Sequence, residues 1–131
     1  MNEPLRLIIL AVLLTVVDLP WLYIQGANVS DIVQRIQADR PMNVRLWGGI
    51  PVYLALAYVL TQVSSAPRAF LLGMCIYAVY DFTQIVTFDK YPLSFAIMDS
   101  LWGGVLMALS WWIATRLGLL PQGTKSKIPW I

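Results

Sequence analysis

The sequence contains no histidine, a single cysteine and few charged residues. Only 12% of its 131 residues are charged and 59% are hydrophobic, whereas soluble domains have about 25% charged and about 45–50% apolar residues. Without histidine, a Ser-His-Asp triad and a zinc site of the Cys/His kind are excluded. Cys75 alone cannot form a disulfide within the chain. We therefore assign no cofactor, no metal and no catalytic residue. The high apolar and low charged content predicts a membrane protein, and a net charge of +2 does not indicate nucleic acid as a partner.

Four apolar stretches predict four transmembrane helices, at about 7–24, 46–63, 69–87 and 93–115. Each is long enough to cross a hydrocarbon core of about 30 Å at about 1.5 Å per residue. Backbone polar groups in lipid must be paired within their own helix, so we expect an all-α fold. The chain then forms one membrane domain, 1–131, with a tail at 117–131 that Trp130 anchors at the interface.

The connection between the first two spans predicts a short helix of its own, at about 30–39. Ser30 is a suitable N-cap, and Ile32, Val33 and Ile36 fall on one face. Pro41 follows and ends the pattern. We expect this segment to lie in the headgroup region as an amphipathic helix.

The distribution of Lys and Arg favours one orientation by a narrow margin. Five of the nine fall on the side of the N-terminus, which we call side A, and four fall on the opposite side, side B. This places both termini in the cytoplasm. An alternative is that the first apolar run after Arg6 is a cleaved signal sequence, although Glu3 and Asp18 argue against that.

Three acidic residues inside the predicted spans lie at one depth. Counted along their helices, Asp18, Asp81 and Asp99 all lie roughly 9–11 Å below the side-B surface. An ionisable group inside a membrane costs several kcal/mol, so it normally faces the protein interior and has a partner. We therefore predict an acidic pocket in the side-B half, formed by the first, third and fourth helices.

Helical spacing places further side chains around this pocket. Arg45 is the nearest cation able to reach it, with Lys90 as a second candidate, and Gly103 lets another helix approach closely. The supporting residues are Trp21, Tyr77, Tyr80, Thr83, Gln84, Trp102, Gly103 and Arg45.

The pocket permits several functions. Two carboxylates this close do not both stay ionised without a counter-charge, so the leading hypothesis is a site that binds or passes a proton or a small cation. Four short helices enclose little room, so conduction favours a homo-oligomer. The alternative is an enzyme or accessory protein that binds a lipid headgroup or a modified acyl chain. A third hypothesis is a purely structural subunit, with the acids accepting hydrogen bonds that hold the helices together.

The segments that carry the acids resemble a family. They read Asp18-Leu19-Pro20-Trp21, Tyr80-Asp81-Phe82-Thr83 and Asp99-Ser100-Leu101-Trp102-Gly103, and they are similar to the small predicted membrane proteins grouped as domain of unknown function 2177. The third helix of that family continues with an Asn and then a Trp-Pro pair, where this chain has Gln84 and Tyr91-Pro92. The resemblance covers nearly the whole chain and implies a membrane protein, but no established activity.

Overall fold

The fold contains four α-helices in the residues that the computed structural model describes, 2–42 and 44–120. They are α1 (Glu3–Ile36), α2 (Gly49–Thr61), α3 (Ala66–Thr87) and α4 (Leu93–Arg116), with a short 3-10 turn at Leu46–Gly48 before α2. No strand occurs in these ranges. The prediction of an all-helical, four-helix membrane protein is confirmed. The predicted anchor Trp130 and the rest of the tail beyond residue 120 lie outside the described residues.

Three of the helices are long and apolar enough to cross a membrane, namely α1, α3 and α4. The second apolar segment is shorter, Leu46–Thr61. The 13 residues of α2 cover about 20 Å at about 1.5 Å per residue, less than the core of a bilayer. Gly48 and Gly49 lie at its start, and Pro51 lies in its first turn, where a backbone N–H would have no partner within the helix.

The first helix is much longer than predicted. It runs without interruption for 34 residues to Ile36, so residues 30–36 continue α1 and do not form the separate helix expected at 30–39. Gly26 is the one strong helix-disfavouring residue between 24 and 30, and a glycine costs only about 1 kcal/mol in a helix. A continuous helix keeps the intervening backbone N–H and C=O groups paired, which outweighs this cost. At about 1.5 Å per residue, α1 is about 51 Å long and extends well past a bilayer core.

The end of α1 is held by local hydrogen bonds. Ala38 and Asp39 adopt positive φ angles of 57° and 63°, a left-handed conformation that terminates helices. The Asp39 N–H donates to the Gln34 carbonyl at 2.8 Å. The Gln37 side-chain amide donates to the carbonyls of Arg40 at 2.8 Å and Pro41 at 2.6 Å. The chain therefore reverses directly after α1.

Glycines bring α3 and α4 into close contact. A Cβ atom on Gly73 would lie 2.3 Å from the Gly103 carbonyl oxygen, and one on Gly103 would lie 2.3 Å from the Tyr77 ring. A Cβ on Gly104 would meet the Phe70 ring at 2.8 Å. Small residues of this kind let membrane helices pack backbone to backbone.

The side-A half of the bundle is a packed apolar core. Leu10 and Leu14 of α1 and Leu106 and Met107 of α4 are completely buried there. The Trp111 indole N–H, at the edge of this core, donates to the Val63 carbonyl at 3.2 Å. α1 packs on α2 and α4, whereas α3 packs mainly on α4. A gap between α1 and α3 is therefore left unfilled in the side-B half.

Candidate functional site

A cleft of about 690 Å³ lies between α1 and α3 in the side-B half of the bundle. One wall is a stripe along the second half of α1, at helical spacing from Asp18 to Ile36, and the other is the side-B half of α3. Phe95 and Asp99 of α4 lie between the two walls. Most of the lining is apolar, and Asp18 and Asp99 are the acidic residues among it.

Asp18 accepts two hydrogen bonds from neighbouring helices. The Trp102 indole N–H donates to Oδ1 at 2.7 Å, and the Tyr53 hydroxyl donates to Oδ2. Asp18 is 4% exposed, so both of its oxygens are paired in a buried position. This carboxyl therefore joins α1 to α2 and to α4.

Two tryptophans connect Asp18 to Asp99. The Trp21 indole N–H donates to Asp99 Oδ1 at 3.1 Å. The rings of Trp21 and Trp102 are stacked, with centroids 5.3 Å apart and planes 8° from parallel. Each ring thus holds the acid of the opposite helix, which gives a reciprocal contact between α1 and α4.

Asp81 differs from Asp18 because only one of its oxygens is paired. The Tyr91 hydroxyl donates to Oδ1 at 2.6 Å, and burial together with this bond raises the pKa of Tyr91. Oδ2 is buried and has no hydrogen-bond partner in residues 2–42 and 44–120. The Asp99 carboxyl is close enough to interact with Asp81, so two acidic groups face one another across the α3–α4 contact.

The sequence comparison agrees with the membrane architecture. Residues 5–116 match the family described as predicted membrane protein, DUF2177. The chain belongs to this family. No curated protein and no solved structure matches the chain significantly. Membership in DUF2177 supports an integral membrane location.

This DUF2177 chain brings most of the predicted site residues to the cleft. Tyr77, Tyr80 and Gln84 line it together with Trp21, and Tyr80 is largely exposed. Trp102 and Gly103 lie behind it, where Trp102 holds Asp18 and Gly103 packs against Tyr77.

Two of the predicted supporting residues lie elsewhere. Thr83 is exposed, and its hydroxyl donates to the Val79 carbonyl one turn back in α3. Arg45 is exposed and is not part of the cleft lining. The three acids themselves do not form a group that could hold a metal ion within the described ranges.

Sequence reasoning missed two tyrosines that pair with the acids. Tyr53 is one of two tyrosines in the mainly apolar helix α2, where a buried hydroxyl needs a partner, and this signal could have linked it to Asp18. In the sequence, Tyr91 stands out only as the residue before Pro92, and nothing local indicates that it reaches back to Asp81. The sequence pattern placed Ile32, Val33 and Ile36 on one face, but it did not predict that this part of α1 forms a wall of the cleft.

A second cavity lies beside the cleft at the side-B surface. It has a volume of about 300 Å³ and is lined by Arg35, Ile36, Ala38, Thr87, Phe88, Asp89 and Lys90. Ile36 and Phe88 line both cavities, so we call the smaller one the mouth of the cleft. Lys90, the second cation considered for the acidic pocket, lines this mouth.

Proposed function

We propose that the Asp81–Asp99 pair binds a proton or a small cation that enters from side B. The observation that carries the proposal is the buried Oδ2 of Asp81, which has no hydrogen-bond partner among the described residues and a second carboxyl as its neighbour. Two carboxylates in such a position repel each other unless a positive charge lies between them. One proton or one monovalent cation supplies that charge.

The geometry of the pair favours a proton over a metal ion. A shared proton needs only one oxygen from each carboxyl, whereas metal sites usually combine three or more protein ligands. Asp99 lines the cleft, and so does Tyr91, whose hydroxyl is bonded to Asp81. A proton in the cleft thus meets Asp99 directly, and Asp81 lies behind its neighbours Asp99 and Tyr91.

The proposal includes passage of the bound proton across the membrane. The side-A half is filled by the buried core around Leu14 and Met107, which argues against a continuous path within one chain. Conduction would therefore run through a homo-oligomer. In the orientation that the Lys and Arg distribution favours, with both termini in the cytoplasm, the cleft opens on the opposite side.

The proposal is tested by infrared titration of the purified protein in detergent. A protonated carboxylic acid has a carbonyl stretch distinct from that of a carboxylate, and we expect one such band in the wild type at neutral pH. Asp81→Asn and Asp99→Asn should each abolish it, because either amide can donate to the remaining carboxylate and replace the shared proton. Asp89→Asn is the control, since Asp89 is an exposed loop acid, and it should keep the band.

The same variants separate binding from passage. In liposomes, Asp81→Asn should remove proton flux if the chain conducts, with unchanged thermal stability in detergent. Absence of the protonated-acid band in the wild type, or its persistence in both variants, would show that the pair holds no shared proton. Unchanged flux in both variants would rule out passage through these acids.

A further inference from the structure

The cleft and its mouth together have the polarity of a single lipid molecule. The mouth carries the guanidinium of Arg35 and the ammonium of Lys90, and the cleft below it is lined mainly by apolar side chains. We propose that they bind an anionic phospholipid, with its phosphate between Arg35 and Lys90 and an acyl chain in the cleft. This inference does not depend on a proton at Asp81 and Asp99.

The charges of the mouth suit a phosphate that carries one negative charge. Arg35 is in the last turn of α1 and Lys90 is in the loop between α3 and α4, so two separate elements supply the cations. Asp89 is the one acid of the lining, which leaves the mouth with a net positive charge. Neither Arg35 nor Lys90 forms an ion pair within residues 2–42 and 44–120. Guanidinium and ammonium groups are the usual ligands of phosphate oxygens.

The cleft suits a hydrocarbon chain. Val29, Ile32, Val33 and Ile36 of α1 form one apolar wall, and Phe88 at the end of α3 and Phe95 of α4 add further apolar lining. Its volume of about 690 Å³ is that of a pocket for a sizeable organic ligand and far exceeds what a proton needs. The basic groups lie at the surface and the apolar walls below, which is the order of headgroup and chain in a leaflet. A lipid can thus enter the cleft in the orientation that it has in the leaflet.

The headgroup contact is tested by native mass spectrometry of the purified protein with equimolar phosphatidylglycerol and phosphatidylcholine of identical chains. The wild type should retain phosphatidylglycerol preferentially. Near a membrane surface each basic residue contributes about 1 kcal/mol to binding an anionic lipid, so Arg35→Gln with Lys90→Gln should lower the preference by roughly thirtyfold. Arg45→Gln is the matched control, because Arg45 is an exposed side-B cation that lines neither cavity. No preference in the wild type, or an equal loss in Arg45→Gln, would overturn the headgroup site.

The chain contact is tested with a pair of glycines. Gly26 lines the cleft and Gly48 does not, and a Cβ on either would meet no atom within 4 Å. Gly26→Phe should fill the cleft and reduce retention of both lipids, while Gly48→Phe should retain them as the wild type does. Equal retention by the two variants would overturn the placement of the chain. Glycerol phosphate is the chain-free competitor, and displacement of the lipid at equal concentration would show a phosphate site without a role for the cleft.

Discussion

The buried carboxyl of Asp18 should be the main polar contribution to helix packing in this protein. It accepts hydrogen bonds from Trp102 of α4 and Tyr53 of α2 while lying on α1. Asp18→Ala removes the acceptor for both donors at once and leaves an indole N–H and a phenol hydroxyl without partners in a buried position. We expect a clear loss of stability with little change in helix content.

The size of the loss follows from the number and kind of these bonds. Interhelical hydrogen bonds in membranes contribute about 0.6 kcal/mol on average and up to about 1.7 kcal/mol. Asp18→Ala leaves both donors buried without an acceptor, which places each bond in the upper part of this range. Asp18→Ala should therefore lower the free energy of unfolding by about 2–3 kcal/mol, and Trp102→Phe and Tyr53→Phe by about 1–1.5 kcal/mol each.

The assay is reversible unfolding in mixed micelles, followed by circular dichroism, for the single variants and for the doubles that combine Asp18→Ala with Trp102→Phe or Tyr53→Phe. Trp112→Phe and Tyr58→Phe are the matched controls, since these side chains are 50% and 58% exposed. Each control should change stability by less than about 0.5 kcal/mol.

The double variants decide whether the contacts act through Asp18. If they do, each aromatic substitution should cost about 1 kcal/mol less in the Asp18→Ala background than in the wild type. Additivity within about 0.3 kcal/mol for both pairs would refute the structural role of this carboxyl.

Two further substitutions test the α3–α4 contact and the loop tyrosine. Gly73→Ala should destabilise the protein by about 1–3 kcal/mol, because its Cβ would lie 2.3 Å from the Gly103 carbonyl oxygen. Gly26→Ala is the control and should stabilise the protein by up to about 1 kcal/mol, because its Cβ meets nothing within 4 Å. Equal changes in stability for the two variants would contradict the close approach of α3 and α4. The pKa of Tyr91 is raised above its ordinary value of 10.0 by burial and by its bond to Asp81, so its stabilising contribution is complete below pH 10 and declines as the pH rises further. As the pH is raised above 10, stability should therefore fall less steeply in Tyr91→Phe than in the wild type. Tyr23→Phe alters an exposed ring and should behave as the wild type does. Identical slopes for all three would show that the Tyr91 hydroxyl is not buried against Asp81.

The membrane class and the helices follow from local properties of the sequence. An apolar run such as 93–115 forms a helix wherever it lies in lipid, because no water is present to pair its backbone groups. The common depth of the three acids stays a prediction, counted along each helix from a constant rise per residue. These inferences require no knowledge of which helix is adjacent to which.

Continuity between segments was less predictable. The residues from Ser30 to Ile36 show the pattern of an amphipathic helix, and they are helical. Whether they start a new helix or extend α1 depends on a small balance between one glycine and several backbone hydrogen bonds. The sequence pattern around Ser30 is compatible with both outcomes.

The role of each acid was decided by the tertiary structure alone. Asp18, Asp81 and Asp99 look equivalent in the sequence, yet Asp18 has a donor for each oxygen and Asp81 has one oxygen without a donor among the described residues. The difference arises because the partners Tyr53, Trp102 and Tyr91 come from other helices or a loop, at sequence separations of 35, 84 and 10 residues. Local propensity determines where a helix forms, but the partner of a buried polar group depends on which faces meet when the helices pack.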